Sequence, residues 1–167
     1  MATSPSANPP EVPALDPPPS PTTAARRGAM AVLAQARAEE IELGLRAVMD
    51  CVDYVELRAP EIGLVMLRGR IGGDGAPFNL GEATMTRAAI QIASGEVGIA
   101  YILGRDPKKA RLSAVCDALW QSKRYRDAVE RRVLAPIRTR IDAERDRRRG
   151  ETAATRVDFF TLVRGED

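Results

Sequence analysis

Residues Val97–Leu103, VGIAYIL, are apolar on both of the alternating sides a strand would present. Such a segment fits a buried place in a sheet, covered from above and below. A second stretch of the same kind lies near the end of the sequence, in TRVDFFTLVRG at Thr155–Gly165. There Val157, Phe159, Thr161 and Val163 would line one face of a strand, while Phe160 and Leu162 load the other. Chain ends are ordinarily polar and frayed unless something ties them down. Two strands with two apolar faces therefore demand more cover than one layer of helices provides.

Helical cover can be counted from the periodicity. Thr22 or Thr23 can cap a helix carrying Met30, Leu33 and Ala34, and a second segment from about Glu39 to Met49 carries Ile41, Leu45 and Val48. Asp106–Pro107 is a strong helix start, since Asp accepts from free backbone N–H groups and Pro fits the first turn. Leu112, Val115, Cys116, Leu119 and Trp120 then form an apolar stripe, in which Trp120 reads as core. Arg124–Arg149 continues as helix, restarted at Pro136, with Val129, Val133, Ile137 and Ile141 on its inner side.

Between the two helical regions the pattern changes to alternation. Strands are expected at about Val52–Ala59 and Ile62–Ile71, joined by a turn at Pro60–Gly63. Another follows Gly81, with Thr84, Thr86, Ala88, Ile90 and Ile92 on one side and Met85, Arg87, Ala89 and Gln91 on the other. Ser94–Gly95 turns the chain into Val97–Leu103. Short connections make the sheet mostly antiparallel. The expected fold is α+β, with about five strands, the terminal one included, and about four helices.

Residues 1–22 hold eight of the twelve prolines and almost no large apolar side chains, so they read as a disordered Pro-rich tail ahead of a single domain at 23–167. Either the terminal strand enters the middle of the sheet between the chain's own helices, or a partner protein covers it. Arg156 and Arg164, beside Asp158, favour the second, because Arg is preferred where an apolar interface gives way to paired charge.

The sequence contains no histidine, which removes the usual general base near neutral pH, the commonest metal ligand and any Ser-His-Asp or Cys-His arrangement. Cys51 and Cys116 are too few for a closed thiolate zinc site, so they read as reduced core thiols and no metal is expected. Net charge is +2, giving no global field for a nucleic-acid or membrane partner. No apolar run reaches membrane-spanning length and no secretory signal pattern opens the sequence, so a cytoplasmic location is expected.

Two local features invite other readings. The glycine cluster Gly69–Gly75 could serve a stand-alone phosphate- or nucleotide-binding enzyme, aided by Arg68 and Arg70. It lacks the Lys-Ser or Lys-Thr of a Walker loop and the G-x-G-x-x-G order, so a hairpin connection is favoured. The charged run Arg138–Arg149 could contact RNA, but no aromatics are interleaved, and a solvated helix end is favoured.

GLVMLRGRIGGDGAPFNLGEATMTRAA, GRDPKKARLSAVCDALW and TRVDFFTLVRG together resemble the PhnG family of the bacterial carbon-phosphorus lyase system, over about Ala29–Gly165. The resemblance implies a subunit of a cytoplasmic hetero-oligomer with two copies each of PhnG, PhnH, PhnI and PhnJ. In that system PhnI, aided by PhnG, PhnH and PhnL, displaces adenine from ATP with an alkylphosphonate to give a ribose 1-phosphonate 5-triphosphate. PhnJ, a radical enzyme using an iron–sulfur cluster and S-adenosylmethionine, later cleaves the carbon–phosphorus bond. The resemblance assigns PhnG no independent activity or bound cofactor and carries over no catalytic residue. Ligand or interface candidates are Thr86 and Arg87, Arg105 and Asp106, and Arg156, Asp158, Phe159, Phe160 and Arg164.

Overall fold

A computed structural model describes residues 21–48, 52–72 and 75–154. Helices α1 (Pro21–Gln35) and α2 (Ala38–Arg46) open the fold, followed by strands β1 (Tyr54–Arg70), β2 (Pro77–Ile92) and β3 (Val97–Leu103). Helix α3 (Pro107–Gln121) comes next, and a final rod combines α4 (Arg126–Val129), a π-helical turn (Glu130–Leu134) and α5 (Ala135–Ala154). The fold is α+β with one antiparallel sheet in the order β1-β2-β3.

Among the described residues the sheet has three strands, where about five were expected. No turn forms at Pro60–Gly63; β1 runs straight through. It is an edge strand, where a missing N–H can face away from the ladder. Register shifts between Glu56 and Arg58, and between Arg58 and Glu61, take up the irregularity around Pro60. The expected terminal strand, with Phe159 and Phe160, and the tail up to Ser20 lie outside the described residues. Helix α1 begins at Pro21, so Thr22 and Thr23 sit within its first turn and not before it.

Helix α3 packs across the sheet and is buried on nearly every side from Ser113 to Trp120, a wider burial than a single stripe predicts. Asp106 caps it as expected, accepting from Lys109 N–H at 2.8 Å. Small residues set the approach: Ala110, Ala114 and Ala118 are fully buried, and Gly98 of β3 lies so close that a Cβ there would fall 1.9 Å from the Ala114 carbonyl oxygen. Trp120 is core, its Nε1–H donating to Glu130 Oε1 at 2.7 Å and its ring faced by Arg126. Cys116 is buried, and desolvation pushes its thiol far up, so it is an inert core group. Cys51 lies outside the described residues.

Pro136 does not break the last helix. Its missing N–H follows a π-helical turn that closes with Ala135 N–H on the Glu130 carbonyl, so the extra residue is absorbed just before the proline. The Arg132 carbonyl there lies against Gly44 of α2, where a Cβ would come within 2.6 Å.

An ion pair ties the first helix to the sheet. Arg26 of α1 donates to both carboxylate oxygens of buried Asp117 at 2.8 and 2.6 Å, and Asp117 Oδ2 also accepts from the backbone N–H of Ile99 at 2.9 Å. Gln121 donates to the Val97 carbonyl at 2.7 Å. Two side chains of α3 thus occupy backbone groups at the outer edge of β3, where an unpaired ladder would invite another strand.

Candidate functional site

Every described helix packs on one side of the sheet. Thr86, Ala88, Ile90 and Ile92 of β2 are buried there with Gly98, Ala100 and Ile102 of β3, the faces expected from alternation. The opposite face is open. On β3, Ile99, Tyr101 and Leu103 are 43, 58 and 74% exposed, so this strand is not enclosed on both sides as expected. It sits at the sheet edge with helices beneath it alone. Their cross-strand partners Ala89, Arg87 and Met85 share the open face, and β1 adds exposed Val55 and Leu67.

One charged cluster interrupts this apolar surface. Glu61 of β1 accepts from both Arg58 and Arg87. The Arg58 hydrogen bond first, and Arg87 second, hold its carboxyl below the ordinary range. Two guanidiniums on one carboxylate leave the cluster with surplus positive charge.

The candidate residues divide by location. Thr86 and Arg87 are neighbours on a strand and so face opposite ways. Thr86 is fully buried; its Oγ1 donates to the Gly104 carbonyl at 2.7 Å and accepts from Asp106 N–H at 3.1 Å. Thr86 and Asp106 therefore meet in one network that fixes the β3–α3 connection. Arg105 lies exposed beside them, its guanidinium making no hydrogen bond or ion pair among the described residues. Arg87 belongs to the open face. Arg156, Asp158, Phe159, Phe160 and Arg164 lie outside the described residues.

The competing sites find little support in the geometry. The Gly69–Gly75 segment joins β1 to β2, with Arg70 opposite Pro77, so it is a hairpin connection and opens no helix N-terminus toward a phosphate. Gly72 has φ +64°, which is why glycine serves there. In the Arg138–Arg149 run, Arg138 pairs with Glu130, Arg140 with Glu40 and Glu144, Arg145 with Asp142, Arg147 with Glu151, and Arg149 with Asp146. Most of its charge is balanced locally. A cleft of about 380 Å³ lies beside Asp53, Ser94, Ser122 and Tyr125. Ser94 donates to Glu96 there, but that bond pulls the Glu96 carboxyl below its ordinary range, which makes it a poor general base. No group of three or more metal-ligating side chains occurs among the described residues, and no described helix is long and apolar enough to cross a membrane.

Sequence reasoning expected apolar sheet in excess of helical cover but assigned the partner-covered part to the terminal strand, and it took apolar residues on both sides of β3 to mean cover on both sides. The usable signal was size: Gly98 and Ala100 are small where α3 presses close, while Ile99, Tyr101 and Leu103 are large where nothing does.

An α+β domain with one sheet face covered by its own helices and the other left apolar is of the class built to be completed by a neighbouring surface. The chain matches the family of phosphonate metabolism protein PhnG over residues 24–165. It is 51% identical over 144 residues to the alpha-D-ribose 1-methylphosphonate 5-triphosphate synthase subunit PhnG of Rhizobium meliloti (strain 1021), covering 86% of this chain and 92% of that relative. The protein belongs to the PhnG family.

Proposed function

We propose that the chain is a subunit of a ribose 1-alkylphosphonate 5-triphosphate synthase, within a carbon-phosphorus lyase core assembly, and that it acts by docking its open sheet face onto neighbouring subunits. The observation that carries this is the exposure of Ile99, Tyr101 and Leu103 on a strand whose other face is fully buried. Support for the reaction comes from the relative's name, which makes it a subunit of an alpha-D-ribose 1-methylphosphonate 5-triphosphate synthase. The partners are PhnH, PhnI and PhnJ, two copies of each with two of this chain, joined by PhnL for the synthase step, in the cytoplasm. Adenine displacement from ATP takes place on PhnI, and the iron–sulfur cluster and S-adenosylmethionine belong to PhnJ. This chain supplies surface and orientation, and Arg87 with Arg58 and Glu61 sets a charged island within the contact.

Expression tests the proposal. Produced alone, the chain should bind hydrophobic dye strongly in dilute buffer and aggregate as its concentration rises. Co-expressed with the other synthase subunits, it should be soluble and co-purify, and adenine release from ATP in the presence of methylphosphonate should require it. A soluble monomer that forms the product unaided would overturn the docking role.

A further inference from the structure

The β1–β2 hairpin outruns the rest of the fold. The last partner of β3 on β2 is Met85, paired with Leu103, and Met85 faces Gly63 on β1. Beyond that level Leu64–Arg70 and Pro77–Thr84 continue as two strands alone, an arm of about 23 Å at a strand's rise per residue. Among the described residues no third strand joins it, only the Gly104 N–H reaching the Thr84 carbonyl at its base. On the side continuous with Thr84 and Thr86, Leu64 and Met66 are 63 and 51% exposed. On the other side stands Leu67, with Val65 half-buried. Phe78, Leu80 and Ile71 near the far end are exposed too.

A two-stranded ribbon in water is marginal at best, and this one is apolar on both faces. A partner lying flat against the sheet would cover one side of it and leave the other wet. Toward its tip the arm carries Arg68 and Arg70 across from Asn79 and Pro77, with no carboxylate opposite either. Their guanidiniums make no ion pair among the described residues.

We propose that the arm is inserted into a cleft of a neighbouring subunit, which covers both its faces with apolar side chains and meets Arg68 and Arg70 with carboxylates at the deep end. This rests on the docking role proposed above and adds a mode of engagement to it. The charge favours a protein cleft bearing carboxylates: the arm pairs its two cations with a long apolar stem, and a stem of that length has no use in holding a free anion.

The test uses the co-expressed assembly with Leu64→Asp and Leu67→Asp as single variants, one on each face. Each should lower co-purification at least tenfold, and Arg68→Glu with Arg70→Glu should weaken it in a salt-dependent way. Circular dichroism of the variant chains, refolded in dilute buffer, checks that these exposed sites leave the helices intact. As a measurement needing no variant, amide exchange across residues 64–70 and 77–84 should slow on assembly. If only one face tolerates no charge, the arm lies on a surface and the insertion is wrong. If neither variant matters while truncation of Tyr101 and Leu103 still dissociates the assembly, the arm proposal fails and the docking role stands. Normal assembly of the Arg68→Glu, Arg70→Glu variant with a raised KM for ATP would assign these arginines to the nucleotide and overturn the carboxylate partner.

Discussion

Gly98→Ala should destabilise the chain by about 3 kcal/mol, the upper end of what overpacking ordinarily costs and a large share of the 5–15 kcal/mol that holds a typical domain together. The added Cβ would lie 1.9 Å from the Ala114 carbonyl oxygen, 2.5 Å from Ala118 N and 2.9 Å from the Ala118 Cβ. Two of these three are backbone atoms of α3, which no rotamer change can move aside. The helix would have to lift from the sheet, and Asp117 and Gln121, which reach β3 from the same helix, would lose their bonds to Ile99 and Val97. Trp120 is the chain's one tryptophan and is buried, so its fluorescence reports the transition in a urea titration. The midpoint should fall sharply with little change in slope. Gly63→Ala is the control, because nothing lies within 4 Å of a Cβ there. Equal effects of the two would mean that the close approach of α3 to β3 is unimportant.

The second large effect falls on assembly. Tyr101→Ala combined with Leu103→Ala removes two big side chains that the isolated fold leaves more than half exposed. Each is worth about 1.5–3 kcal/mol when buried against a partner. Losing both should weaken association at least about 100-fold, since about 1.4 kcal/mol is a factor of ten. The fold itself should barely notice, because neither side chain enters the core. Titration of the variant against the remaining subunits, alongside its urea midpoint, separates the two effects. A normal affinity would remove the open face from the interface; a collapsed midpoint would make these residues part of the fold's own stability.

Much of this architecture was legible because local rules act alone where they act. Asp106 followed by Pro107 leaves a helix little choice of starting point, and the alternation through Thr84–Ile92 sorted β2 onto its two faces correctly. The glycine cluster was readable as a hairpin connection since no helix signal follows it. What failed were inferences needing the third dimension. Pro60 looks like a turn until β1 is known to be an edge, where the ladder does not need its N–H. Residues Val97–Leu103 look enclosed until the helices are seen to lie on one side only. The bridge from Arg26 to Asp117 to Ile99 joins residues far apart in sequence, and nothing in the spacing of a charged residue on an apolar helix announces its partner. The candidate site fared the same way. Thr86 and Asp106 do come together, but around a backbone connection, and Arg87 is turned to the other face. Alternation alone sets Thr86 and Arg87 on opposite sides, so naming them as one candidate pair runs against the strand reading itself.

Oxidative footprinting of the chain free and in its assembly probes the open face most directly. Hydroxyl radicals modify Tyr and Met side chains in proportion to their access to solvent, so Tyr101 on the open face and Met66 on the opposite side of the β1–β2 arm should label readily in the free chain. Both should become protected several-fold once the other synthase subunits are bound, while buried Trp120 stays protected throughout. Unchanged labelling of Tyr101 on assembly would contradict the claim that neighbouring subunits complete this sheet.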